Sequence, residues 1–245
     1  TVTIDGKEYP MRDMNFPTVD PADPLRLTDE EEELLHTLEL SFRHNARLHE
    51  HVRFLYSNGS MYKCCNSNLL YHGCIPMTEN REFDGLMVGG RMYRGKELMD
   101  FIDTQVKNAY FLPEDAPEKE ACRDFMWYLW NGAKSPVFGK DKNRSFEHYF
   151  IEDPEVMRET MNPYYQLSEK ENCCRKILKE FGLPLEGSHI INGHVPVHQS
   201  EGESPVKCNG KVLVIDGGFS RPYQKVTGIA GYTLVYNSYG LILSA

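Results

Sequence analysis

The sequence has no Cys-x-x-Cys pair, no basic excess, no apolar run long enough to cross a membrane and no signal-peptide pattern. Each absence removes a class of protein. Seven cysteines, an odd number, occur as the adjacent pairs Cys64-Cys65 and Cys173-Cys174 and as Cys74, Cys122 and Cys208. That pattern gives neither a disulfide framework nor a structural zinc site, and the expectation is reduced thiols in a cytoplasmic protein. A net charge of −9 argues against a nucleic-acid partner, which would call for a basic surface. A local cluster of Lys and Arg can still receive a small anion. Nothing points to a membrane partner.

What is present is an ordinary globular composition. At 245 residues, 40% hydrophobic and 26% charged, the chain can bury a sizeable core. Residues 1–27 are expected to form a hairpin at Asp5-Gly6 and then an extended connector through Pro10, Pro17, Pro21 and Pro24. Residues 28–245 are expected to form the main domain, with a helical insertion at about 96–182. Thr28-Asp29-Glu30-Glu31 reads as a capping box that opens one helix running to about His51. The period then shifts, and Phe54 to Cys65 reads as a hairpin around Asn58-Gly59. Helices are expected at Lys96–Phe111 and Glu118–Trp130, the second with an aromatic cluster assigned to the core. A further capping box at Ser168–Glu171 would open a helix ending near Phe181. Strands are expected at Ser67–Tyr71, His189–Asn192, Lys211–Asp216, Tyr232–Tyr236 and Leu241–Leu243.

Two stretches carry the chemistry. Ile190-Ile191-Asn192-Gly193-His194-Val195-Pro196 and Leu69-Leu70-Tyr71-His72-Gly73-Cys74-Ile75-Pro76 each run an apolar strand into a histidine beside a glycine, with proline soon after. A neutral imidazole at a strand end is a common ligand for Mn, Fe or Zn in hydrolytic centres, although such a histidine is also often structural. A loop from Asn131 to Arg144 sets Lys134, Lys140, Lys142 and Arg144 among glycines. It reads equally as a phosphate-binding loop or as a solvated basic loop. The four histidines of the first helix, His36, His44, His49 and His51, show no metal-ligand pattern and read as solvated.

The runs Asn192-Gly193-His194-Val195-Pro196-Val197, Gly202-Glu203-Ser204-Pro205, Leu213-Val214-Ile215-Asp216-Gly217-Gly218-Phe219-Ser220 and Thr227–Leu234 resemble class III fructose-1,6-bisphosphatases, the manganese-dependent type of Firmicutes and relatives. Ser67–Pro76, Trp127–Trp130 and Ser135–Lys142 fit as well, so the likeness covers nearly the whole chain.

The resemblance implies an α/β fold forming part of a calcineurin-like metallophosphoesterase sandwich, with mixed sheets flanked by helices, truncated at the N-terminus. It implies His72 and His194 as metal ligands of a dinuclear Mn2+ centre, and His198 outside the ligand set. Such a centre also needs a bridging carboxylate and further ligands, yet the chain has no Asp-x-His, Gly-Asp-x-x-Asp or Gly-Asn-His. Those motifs, with the proton-donating acid, are expected before Thr1, in a missing N-terminal half of the same protein. The implied reaction is removal of the 1-phosphate of fructose 1,6-bisphosphate to give fructose 6-phosphate, a gluconeogenic step, with this fragment inactive alone. Lys140, Lys142, Arg144, Ser220, Arg221 and Tyr223 are candidates to hold the sugar bisphosphate. Homo-oligomerisation stays open. Two rivals remain: a non-catalytic binding or assembly module, in which both histidines only hydrogen-bond, and a phosphoprotein phosphatase of the same superfamily.

Overall fold

The computed structural model describes residues 1–245, divided into two units. In chain order it has β1 (Val2–Ile4), β2 (Lys7–Tyr9), α1 (Asp29–Arg43), α2 (Ala46–Asn58), β3 (Tyr62–Cys65), β4 (Asn68–Tyr71), β5 (Gly85–Val88) and β6 (Arg91–Arg94). Then come α3 (Gly95–Phe111), α4 (Lys119–Asn131) and three one-turn helices, α5 (Glu147–Phe150), α6 (Pro154–Met157) and α7 (Tyr164–Leu167). The chain continues through α8 (Glu171–Glu180), β7 (His189–Asn192), β8 (Val206–Lys207), β9 (Val212–Val214), α9 (Arg221–Thr227), β10 (Thr233–Asn237) and β11 (Gly240–Ser244).

The first unit comprises residues 1–59 and 143–159. Asp5-Gly6 turns β1 into β2, as the sequence indicates, with both residues at positive φ. Its small core is Tyr9, Ile151 and Val156. The expected single helix to His51 is instead two. Thr28 and Glu31 form the predicted capping box, but the helix stops at His44, and Asn45 starts α2 by accepting from the Leu48 N–H. That helix continues through Phe54, Leu55 and Tyr56, where a strand is expected. Asn58 and Gly59 end it rather than turn a hairpin. Neither α1 nor α2 buries a single residue.

The second unit, residues 60–142 and 160–245, is α/β. Its five-stranded sheet runs β3-β4-β7-β9-β8, with the three central strands parallel and the two edge strands antiparallel to their neighbours. Central strands covered on both faces need near-continuous apolar sequence, which Leu69, Ile190, Ile191, Val212 and Leu213 supply. The hairpin that the sequence places at Asn58-Gly59 lies at Asn66-Ser67, both with positive φ. Helix α8 packs Cys173, Cys174, Ile177 and Leu178 into the sheet's core with Leu69 and Ile190. Each such fully buried aliphatic side chain contributes roughly 2 kcal/mol.

The capping box expected at Ser168 does not form: Ser168 closes α7 and its hydroxyl donates to the Tyr165 carbonyl, while Lys170 begins α8 without a side-chain cap. A second core joins Leu98 and Ile102 of α3, Leu129 of α4 and Leu86 of β5. The aromatic cluster of α4 is only partly in it, for Trp127 and Trp130 are 61% and 51% exposed. All seven cysteines are unpaired. No helix is long and apolar enough to cross a membrane.

Candidate active site at the strand ends

The three parallel strands end on the same side of the sheet, where crevices for ligands form in α/β folds. Strand β4 leads into His72, β7 into Gly193 and His194, and β9 into Ile215 and Asp216. The ladder extends one step past the strands. Gly193 N–H donates to the His72 carbonyl at 2.9 Å, and Ile215 N–H to the Asn192 carbonyl at 2.9 Å. The segment after His194 folds back so that Val197 N–H donates to the Asp216 carbonyl at 2.8 Å.

Glycine and strain shape this end of the sheet. A Cβ on Gly73 would stand 2.4 Å from the Pro136 carbonyl, which accepts from Cys74 N–H at 2.9 Å. Only glycine lets the basic loop close on the end of β4. His194 adopts φ +68°, a left-handed backbone that costs a non-glycine residue about 1 kcal/mol or more and is typically held at functional sites.

The imidazoles meet directly: His72 Nε2 lies 3.0 Å from His194 Nδ1, with the rings edge to face. On its other side, His194 Nε2 lies 2.9 Å from the Phe138 carbonyl. A carbonyl only accepts, so Nε2 carries the proton and Nδ1 presents a lone pair toward His72. Burial, and then the neighbouring His194, push His72 below its ordinary pKa, opposed by Asp216. Both effects favour a neutral ring. Asp216 accepts from Gly218 N–H at 2.8 Å through Oδ1.

Beneath the pair runs a buried polar chain. Asn192 Nδ2 donates to the Tyr164 hydroxyl at 3.0 Å and to the Gly73 carbonyl at 3.3 Å, and the Tyr164 hydroxyl bonds that of Tyr71. Asn192 Oδ1 is buried and finds no partner in the protein.

A cavity of about 560 Å³ opens beside His194, lined also by Lys140, Met161, Asp216, Phe219, Ser220 and Tyr223. It thus gathers His194 with Lys140, Ser220 and Tyr223 of the residues singled out in the sequence. Lys142 and Arg221 do not line it. Arg144 belongs to the first unit, where Asp5 and Glu147 take its guanidinium at 2.7 and 2.8 Å. His198 donates its backbone N–H to Glu203 at 2.8 Å.

Three participants escape a reading of the sequence. Asp216 ends the clearest apolar strand, and that strand-end position was the available signal. The Phe138 carbonyl and the Asn192–Tyr164 pair leave no signal in residue type or spacing.

The donor set would suit one edge of a metal site. Two imidazole nitrogens converge, and the distal nitrogen of His194 is fixed on a backbone carbonyl, an arrangement also found behind metal-ligating histidines. No three His, Cys, Asp or Glu side chains come together so as to hold an ion by themselves.

Comparison with known proteins places the chain in a family. A protein-family model described as Firmicute fructose-1,6-bisphosphatase matches residues 1–245. The chain is 54% identical over 245 residues to the fructose-1,6-bisphosphatase class 3 of Fusobacterium nucleatum, covering 100% of this chain and 38% of that protein. It is 54% identical over 239 residues to the class 3 enzyme of Bacteroides fragilis, covering 98% of this chain and 36% of that one. With the class 3 protein of Alkaliphilus metalliredigens it shares 54% over 245 residues, 99% of this chain and 37% of the relative. The chain therefore spans little more than a third of the length of these relatives. No solved structure matches it. From one end to the other, this chain belongs to the Firmicute fructose-1,6-bisphosphatase family.

Proposed function

We propose that this chain is part of a class 3 fructose-1,6-bisphosphatase that removes the 1-phosphate of fructose 1,6-bisphosphate at a dinuclear manganese centre. The supporting observation is the meeting of His72 Nε2 and His194 Nδ1 at 3.0 Å on the ends of adjacent parallel strands. His194 would hold metal through Nδ1, whose lone pair now faces His72, and His72 through Nε2 once its proton sits on Nδ1. Bound there, the metals supply Lewis-acid polarisation of the phosphoryl oxygens. Phe138 fixes the tautomer of His194 through its carbonyl. Lys140, Ser220 and Tyr223 line the adjoining cavity and suit an anionic phosphate by charge and hydrogen bonding.

The bridging carboxylate, the remaining ligands and the general acid are supplied, in this reading, by the length of the relatives that this chain does not span. The whole protein then takes the calcineurin-like sandwich arrangement, acts in the cytoplasm, and the isolated chain does not hydrolyse sugar bisphosphates. Metal analysis of the full-length protein tests the reading: His72→Ala should lower bound manganese and activity together. Unchanged metal content and activity would overturn it, and would favour a binding module in which the two imidazoles only hydrogen-bond. The lack of three converging ligands in this chain is the observation on that side. Manganese-dependent phosphate release by residues 1–245 alone, abolished by His194→Ala, would refute the inactivity of the fragment.

A further inference from the structure

Away from the strand ends, two thiols from distant parts of the sequence stand face to face. Cys174 Sγ on α8 lies 3.5 Å from Cys208 Sγ, which belongs to the turn joining β8 to β9. Cys174 is fully buried and also donates to the Ser168 carbonyl at 2.9 Å. Cys208 is half-buried and lines a cavity of about 400 Å³ open to solvent. Glu169, Glu171 and Glu203 line that cavity with one cation, Lys207, which pairs with Glu203 at 2.5 Å and Glu169 at 3.6 Å.

We propose that Cys174 and Cys208 form a dithiol site that closes to a disulfide by exchange with small cationic or neutral disulfides. The sulfurs must approach from 3.5 Å to about 2 Å, a movement of about 1.5 Å. The outer thiol reacts first. Cys208 thiolate attacks one sulfur of the entering disulfide, forming a mixed disulfide and releasing one thiolate. Cys174 thiolate then attacks Cys208 Sγ, forming the Cys174–Cys208 bond and expelling the second thiolate. The two released thiolates take up the two protons the cysteines lose, so the dithiol is oxidised by two electrons and the reagent reduced to two thiols. Burial holds the Cys174 thiol well above its ordinary pKa, which makes the second step the slower one. The acidic lining selects the reagent, since it repels an anionic disulfide and attracts a cationic one.

The test is to expose the purified full-length protein to cystamine or to glutathione disulfide under native conditions, quench in acid and map the peptides. A reductant-sensitive link between Cys174 and Cys208 is expected, forming about tenfold faster with cystamine at low salt, a gap that closes at high salt. Cys208→Ala should abolish the link, and Cys174→Ala should trap a cysteamine cap on Cys208. Should Cys174→Ala fail to fold, the map of the unsubstituted protein decides. A lasting cap on Cys208 in that protein, a link to Cys173, no native reaction, or equal rates with the two reagents would each overturn the proposal.

Discussion

His72 and His194 touch at 3.0 Å although they stand 122 positions apart in the sequence, and neither could meet the other without the parallel pairing of β4 with β7. Their contact is set by backbone. Gly193 N–H on the His72 carbonyl fixes the two chains, and the left-handed φ of His194 turns its ring toward its partner.

Asn192 tests how far that geometry depends on the polar chain beneath it. Asn192→Ala removes the donor to both Tyr164 and the Gly73 carbonyl; Tyr164 keeps Tyr71 and the partnerless Oδ1 is lost too, so the cost should be about 1 kcal/mol. Urea unfolding measures the loss. On the proposed metal role of the two histidines, manganese binding by the full-length protein should weaken as well, and intact affinity would mean that the histidines need no support from below.

Gly73→Ala should act by collision. Its Cβ would lie 2.4 Å from the Pro136 carbonyl, so either β4 or the basic loop must give way, at about 2–3 kcal/mol. A variant with unchanged denaturant midpoint would show that the loop yields freely.

Histidine burial gives the fold a pH dependence. Burial first, and the Lys211 cation second, hold His189 below its ordinary value of 6.5. As pH falls through 6.5 the unfolded chain takes up protons that the folded chain refuses, so stability present above that value is lost below it, down to the folded pKa. His72 is shifted in the same direction. Unfolding measured along a pH series should show this slope, and His189→Gln should flatten it. An unaltered slope would place the acid sensitivity elsewhere.

Lys140 and Arg144 offer a test of the proposed phosphate site. Lys140 lines the cavity beside His194, and Arg144, in the first unit, pairs with Asp5 and Glu147. Lys140→Ala should weaken binding of inorganic phosphate to the full-length protein, read by calorimetry. Arg144→Ala should leave that affinity alone and lower the stability of the first unit. The reverse outcome would assign the phosphate to Arg144.

Thiol labelling under native conditions should reach Cys64 and Cys65 first, because both are exposed on the edge strand β3. Cys74, fully buried with its thiol pushed up to about 12, should react only on unfolding. Early alkylation of Cys74, seen by mass spectrometry, would contradict the closure of the loop over β4.

Much of this architecture can be read from the sequence, because apolar strands running into His-Gly or Gly-His are locally conspicuous and the helices α3 and α4 have plain apolar periodicity. The failures share a physical cause. Phe54-Leu55-Tyr56 favours a strand locally, yet the Asn45 cap starts a helix that runs through it. The real hairpin turn, Asn66-Ser67, uses positive φ without glycine, so the usual signal is missing. Ser168 has the spacing of a capping box but is already the last residue of the preceding turn. In the site, Asp216 was visible as a residue but not as a neighbour, since only sheet order brings β9 beside β7. A backbone acceptor such as the Phe138 carbonyl carries no mark in residue type at all.

Helices α1 and α2 bury no residue, and that sets how the chain's amide protons are guarded. At 15 and 13 residues, they have the length at which a helix without tertiary packing is marginal in water. Their amides should exchange with solvent through local fraying, at rates set by end caps such as Thr28 and Asn45. Amides of β4, β7 and β9 should exchange only when the sheet itself opens.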